Sequence, residues 1–546
     1  MKDLLFIAAG GLLLATVKWA FLHGRRMSRH RIRHLRIRLL LRLHPGKGHA
    51  TVVELWWRWG RLAVLRNSRR SRPSMSLAQR LVSPASQYSL LLGRGHYRRA
   101  LRLPLDEHLV IFSPPRTGKT GTLARMVAHY PGPVLSTTTK HDVFELTACV
   151  RAGVGPVHVF NPQGVGDVLS TFWWNPLDGC EDPAVAIRRA DAFASAVSQK
   201  GVEDASFWAG KASDYLRAYF HAAALAALDM RHVARWVSGV GEDEPEAILL
   251  SAPGSAQHFA AQLTEMHGEA NKTISTVRMT MSRSLAFLAD PALAAAVLPD
   301  AGYARPLDIE EFLRDRGTLY LIAETRGDDA PVAPLFACLA SEIHYVAGLI
   351  GSCSPAARLD PPLLMALDEV TQICPVPVPS WLADSGGKGI QIVTVAHGEA
   401  QLRSRWGADG ARVILDTSGV KLWLHGISDP AILDTASALC GTAALREVRS
   451  ARRWRRRGGW QDPYERHPVM TPEMIRQLPA RCALVIRGGM SPTVARLQMA
   501  WNDPAYKRAR ARARAAARAH WPQAELESVP LPHAGAIEEP ADYPWQ

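Results

Sequence analysis

Residues 109–126 read LVIFSPPRTGKTGTLARM, and the fold follows from how this stretch divides. A short apolar run, rich in β-branched residues, ends at Ser113. A Pro- and Gly-containing loop follows, and Gly118-Lys119-Thr120 opens a run of helix formers. A strand entering a tight loop that turns into a helix places backbone N–H groups and a helix N-terminus around one point, which suits a phosphate chain. Lys119 is then the cation for the β- and γ-phosphates, and the Thr120 hydroxyl is a ligand for Mg²⁺. Gly118 permits close backbone approach, while Arg116 and Thr117 shape the loop. The general pattern G-x-x-x-x-G-K-[ST] begins with Gly, whereas here Ser113 leads, followed by Pro114 and Pro115. Ser adopts positive φ less readily than Gly, so the start of the loop is expected to differ from that pattern.

Similar apolar runs recur outward from this point. Residues 133–138, 156–160, 317–323, 362–367, 390–395, 420–425 and 482–487 read as further strands, most of them separated by helical stretches. Short continuous apolar strands alternating with helices imply an α/β fold with a mostly parallel sheet covered on both faces. The run PLLMALDE ends in Asp368 and Glu369. Carboxylates at the end of a buried parallel strand stand where such sheets hold ligands. Asp368 is the candidate for Mg²⁺ and Glu369 for orienting or activating water, although acids are also favoured at helix N-termini for their own sake. The run IQIVTVAH ends at His397, which is either a sensor of the terminal phosphate or a structural histidine.

Between residues 183 and 300 the pattern changes to Ala-rich amphipathic helices, which reads as an all-helical insertion dividing the α/β part into 105–182 and 301–505. The net charge of the 546 residues is +15, and 25–72 alone carries fifteen Arg or Lys against one acid, Glu54. That block therefore contributes +14, and the remainder is nearly neutral. Ahead of it, residues 4–22 are apolar enough to span a bilayer as a helix, so 1–24 reads as a single transmembrane anchor. Arginines follow this run, which places the bulk of the chain on the cytoplasmic side of the plasma membrane and 25–104 as a basic juxtamembrane region facing anionic lipid. A second apolar patch, 52–65, is broken by Glu54, Arg58 and Arg61; it reads as interfacial or packed on the first helix. The seven scattered cysteines make no C-x-x-C pair, which excludes a disulfide framework or zinc site as the basis of the fold.

Two arginine blocks suit nucleic-acid phosphates. Residues 446–460, REVRSARRWRRRGGW, place Arg452, Arg453, Arg455, Arg456 and Arg457 around Trp454, so that cations meet phosphates and an aromatic ring can stack on an unpaired base. Residues 506–546 read as a basic helix followed by a disordered acidic, Pro-rich tail. Neither block carries a base-reading pattern, so DNA binding is expected to be independent of sequence.

Taken together, SPPRTGKT, the segment LDEVTQICPVPVPSWLADSGGKGIQIVTVAHGEAQLRSRWG, SFWAGKASDYLRA, ILDTASALCG and MTPEMIRQLPARCALVIRGG resemble the TraG/TraD-like coupling proteins of conjugative type IV secretion systems over about 105–505. The resemblance implies a RecA-like P-loop NTPase fold, related to the FtsK-type pumps, with an inserted all-α domain and an N-terminal membrane anchor. It further implies a homo-hexamer that hydrolyses ATP with Mg²⁺ to move DNA, together with a relaxase or other transferred protein, toward secretion-channel proteins. The family's Asp-x-Lys after the second strand becomes Lys140 without its Asp. A sensing Gln falls at His397, and an arginine acting across the subunit interface falls near Gly386, leaving Lys388 and Arg403 as the nearest substitutes. An FtsK-like DNA pump, a protein-export motor of the same superfamily, and a nucleotide-binding membrane scaffold without turnover remain alternatives.

Overall fold

The computed structural model describes residues 48–197, 205–268, 271–298, 305–325, 330–446 and 464–520. The expected spanning helix, the basic block up to residue 47, the arginine patch at 452–457 and the tail from 521 lie outside the described residues.

Eleven of the described strands form one mixed sheet. They are β1 (Ser89–Arg94), β2 (Ala100–Pro104), β3 (Leu109–Phe112), β4 (Val134–Thr138), β5 (Val157–Phe160), β6 (Thr318–Ile322), β7 (Leu363–Leu367), β8 (Ile390–Ala396), β9 (Val420–Leu424), β12 (Cys482–Arg487) and β13 (Thr493–Arg496). Two more, β10 (Thr442–Arg446) and β11 (Tyr464–Pro468), form a separate antiparallel ribbon. The order across the main sheet is β2-β1-β13-β12-β9-β3-β8-β7-β4-β6-β5. From β9 to β5 all neighbours are parallel, and from β2 to β9 all are antiparallel.

Alternate residues of each central strand serve opposite faces, because successive side chains on a strand point to opposite sides. Val110 and Phe112 join one core with Leu363, Met365 and Leu367, whereas Leu109 and Ile111 join the other with Leu364 and Ala366. The first core also holds Phe193, Phe220 and Trp236 from the helices between Pro183 and Ala295, so this helical segment shares its apolar interior with one face of the sheet. Helix Ala333–Ser352 is the one described helix long and apolar enough to cross a membrane, and it lies in the same core, with Leu335, Phe336, Leu339 and Ile343 buried.

Two expectations need correction. Residues 89–104, read as part of the basic juxtamembrane region, form the β1–β2 hairpin at the sheet edge. Arg94, Arg98, Arg99 and Arg102 mask an alternation in which Leu101 and Leu103 are fully buried. The patch 52–65 packs on the sheet through buried residues. Leu55 and Trp59, at opposite ends of the short π-helix Leu55–Trp59, join the sheet core beside Leu90 and Leu101, and the Arg487 guanidinium lies 5.1 Å from the Trp59 ring centroid.

Candidate nucleotide site

The loop after β3 and the loop after β8 lie side by side, and the Ser113 N–H donates to the Ala396 carbonyl at 3.1 Å. The chain then diverges. Helix Lys119–Ala128 covers one face of the sheet, whereas helix Glu399–Thr417 buries Leu402, Ala411 and Ile414 in the core of the other. Such a parting of connections opens a crevice at the carboxyl ends of the strands, the place where α/β sheets bind ligands.

Ser113 does not take up the left-handed backbone that a leading Gly would allow. Arg116 (φ 62°) and Gly118 (φ 96°) adopt it instead. Ser113 is fully buried, and its hydroxyl lies 2.6 Å from that of Thr117, which in turn donates to the Pro114 carbonyl at 2.7 Å. The Ser113–Thr117 pair thus braces the loop from within. Pro115 and Arg116 stay exposed on its outer side, and Thr120 is half-buried on the first helical turn.

Lys119 and the acid pair converge across the crevice although 250 residues separate them in the chain. The Lys119 ammonium pairs with Glu369 and stands 3.4 Å from Asp368 Oδ1. The Thr137 hydroxyl of β4 donates to the Asp368 carbonyl at 2.7 Å and fixes the end of β7. Glu369 itself has φ 50° and ψ 36°, a left-handed conformation rare for a residue with a Cβ and typical of strained functional positions. His397 completes the cluster. Its Nε2 lies 2.9 Å from Glu369, its Nδ1 lies 2.9 Å from the Ser113 carbonyl, and its backbone N–H donates to Gln401 Oε1 at 2.9 Å.

Charges in the cluster act on one another through little water. Burial raises the pKa of Asp368 against the opposing pull of Lys119. Burial also works against the Glu369 carboxylate, yet the hydrogen bond from His397 and the Lys119 charge outweigh it and hold its pKa at about 2. The hydrogen bond to Glu369 raises the pKa of His397, which favours the charged imidazole between Glu369 and the Ser113 carbonyl. Asp368 Oδ1 is buried beside the Lys119 ammonium, and a carboxylate oxygen is a hard ligand suited to Mg²⁺.

Other candidates stand apart from this cluster. Lys140 follows β4 on the same edge of the sheet, with its side chain exposed and its backbone N–H on the Thr138 hydroxyl at 3.3 Å. Lys388 precedes β8 and pairs with Asp384 at 2.6 Å. The seven-residue strand Ile390–Ala396, rising ~3.3 Å per residue, separates Lys388 from His397 by more than roughly 20 Å, so within this chain Lys388 is not part of the cluster. Arg403 pairs with Glu399 at 2.5 Å. Among the described residues no group of three or more His, Cys, Asp or Glu is arranged to hold a metal. Sequence reasoning passed over Gln401, four residues beyond His397, and residues 499–503, which lie along the phosphate-loop helix; neither carries a motif.

The family described as the TraM recognition site of TraD and TraG matches residues 362–480, from β7 through the Glu369 and His397 positions to just before β12. The chain is TraG/TraD-like. Among solved structures, the unbound bacterial conjugative coupling protein TrwB is similar to this TraG/TraD-like chain with a TM-score of 0.56 at 18% identity, covering 78% of this chain and 92% of that one. TrwB with a non-hydrolysable ATP analogue (TM-score 0.55, 18% identity, covering 81% and 94%) and with ADP and Mg²⁺ (0.53, 18%, covering 74% and 90%) are similar in the same way. At this identity the likeness establishes the P-loop NTPase fold. None of the curated proteins matches the chain significantly.

Proposed function

We propose that the TraG/TraD-like chain is a membrane-anchored ATPase that couples Mg²⁺-dependent ATP hydrolysis to the translocation of DNA, or of a DNA–protein substrate, in conjugation. The observation that carries the reading is the meeting of Lys119, Asp368, Glu369 and His397 in the crevice beside the phosphate loop.

Without a phosphate chain, Lys119 is neutralised by the acid pair. A triphosphate seated on the loop N–H groups competes for this ammonium, draws Lys119 away and frees Glu369 to accept a hydrogen bond from the attacking water. His397, held between the Ser113 carbonyl and Glu369, couples the position of the loop to that of the water-orienting carboxylate. Asp368 and Thr120 would hold the Mg²⁺, whose chemistry is to neutralise charge on the phosphate oxygens. A neighbouring subunit of a homo-hexamer would bring Lys388 or Arg403 to the same nucleotide.

The apolar run at 4–22 and the arginines behind it support a single-pass anchor in the plasma membrane, with the bulk cytoplasmic and the basic block on anionic lipid. Arg452–Arg457 supply sequence-independent DNA contact. The match over 362–480 and the likeness to TrwB support a place in conjugation, with a TraM-type relaxosome protein, a relaxase and secretion-channel proteins as partners.

Steady-state hydrolysis by the full chain, with and without single-stranded DNA, tests the reading. Hydrolysis that rises with DNA and falls at least about a hundredfold in Lys119→Ala and in Glu369→Gln is expected. Undiminished turnover in both variants sinks the site, and zero turnover in the wild type with nucleotide still bound points to a scaffold.

A further inference from the structure

We infer that Trp501, set beside Met499 on the first turn of the phosphate-loop helix, is the platform on which the base of the bound nucleotide stacks. The inference rests on the nucleotide reading above and names where the nucleoside end of that substrate goes.

The two ends of a triphosphate are distinguished here by the sheet order. The terminal phosphate must face Glu369 and His397, which follow β7 and β8 on one side of β3. The nucleoside therefore leaves the loop on the other side of β3, toward β9, β12 and β13. Residues 499–503 emerge from β13 on that side and lie along helix Lys119–Ala128.

Their placement is close and latched. A Cβ on Gly121 would stand 2.3 and 2.5 Å from the Cζ3 and Cη2 atoms of the Trp501 ring and 2.9 Å from Met499 Sδ. Only glycine at this position, one residue beyond Thr120, admits the indole against the helix. A Cβ on Gly118 would also meet Met499 Sδ, at 3.4 Å. One turn on, Arg125 pairs with Asp503, and His129 Nε2 lies 2.7 Å from the same carboxylate, which is itself buried. Gly121, Arg125 and His129 recur every four residues, so the segment is fastened along one face of the helix. Trp501 is nonetheless only half-buried, so part of it stays accessible.

A ring of this kind holds a base by its π-face and leaves the base's hydrogen-bonding edge unread. The shelf therefore accepts adenine and guanine alike. It also adds affinity that the phosphate cradle cannot supply.

The test is binding by the full chain, in Mg²⁺, of non-hydrolysable ATP and GTP analogues and of inorganic tripolyphosphate. Wild type, Trp501→Ala and Trp501→Phe are compared. Expected is a weakening of about tenfold for both nucleotides in Trp501→Ala, near-wild-type binding in Trp501→Phe, and one unchanged tripolyphosphate affinity in all three. Equal nucleotide affinity in wild type and Trp501→Ala overturns the inference, and so does a parallel loss of tripolyphosphate, which marks Trp501 as a structural support of the loop. A wild type that binds tripolyphosphate and nucleotides equally tightly overturns it as well, while one that binds none of the three removes the nucleotide reading beneath it.

Discussion

His397 shows how a residue that is ambiguous in sequence acquires a task from its neighbours. An imidazole at the end of an apolar strand is equally at home as a buried structural group. Here its two nitrogens reach the loop carbonyl of Ser113 and the carboxylate of Glu369, residues that precede it by 284 and 28 positions. Removing the ring in His397→Ala leaves Glu369 held by Lys119 alone. Hydrolysis is expected to fall by about 10²-fold, within the range of a positioned acid–base group, while nucleotide affinity changes little. The amide of Gln can donate a single hydrogen bond to Glu369, so His397→Gln should recover a large part of the rate. Equal rates for the Ala and Gln variants would contradict the link. Lys119 and the acid pair were legible from their motifs alone. The Ser113–Thr117 brace was not, because a hydroxyl pair across a loop depends on which residues take positive φ, and here Arg116 and Gly118 do so.

At the scale of elements, the parallel strands were legible and the antiparallel ones mostly were not. The strands from β3 to β9 are mostly buried on both faces and read as largely apolar runs. The hairpin β1–β2 carries arginines at its edge, and β13 is a four-residue strand, so charge and brevity hide them. The segment 52–71 teaches the same point from the other side. Its composition suits an interface, yet Leu55 and Trp59 face the sheet while Trp56 and Trp57 stay exposed. Trp59 is fully buried, so Trp59→Ala is expected to cost about 3–5 kcal/mol and to lower the unfolding midpoint of the purified chain, whereas Trp57→Ala should leave it nearly unchanged. Gly121→Ala forces Trp501 off the helix and should lower stability too, by about 1–3 kcal/mol of overpacking, with nucleotide affinity falling in step. A stable, tightly binding Gly121→Ala chain would show that the indole does not occupy this place.

For the whole molecule, charge and topology separate the tasks. The positive excess sits outside the α/β body, which leaves that body nearly neutral and concentrates affinity for polyanions in the arginine segments. If Arg452, Arg453, Arg455, Arg456 and Arg457 each neutralise one phosphate of a single strand, replacing all five should reduce the magnitude of the slope of log affinity against log salt by about 3.5. The measurement is a salt titration of single-stranded DNA binding, and an unchanged slope would remove the patch from the interface. The site itself needs the central strands in their order, since its members follow β3, β7 and β8 and are braced from β4.

What the amino-acid sequence determined unaided is the set of local devices: the loop SPPRTGKT, the apolar strands, the acid pair closing β7 and the basic blocks. Each is encoded by neighbours in the chain, through side-chain period, turn residues and charge. Tertiary structure alone decided that β8 lies between β3 and β7, that His397 spans Ser113 and Glu369, and that Trp501 lies on Gly121. Strand order is chosen by how whole faces pack and how the connections cross, and no run of adjacent residues carries that choice.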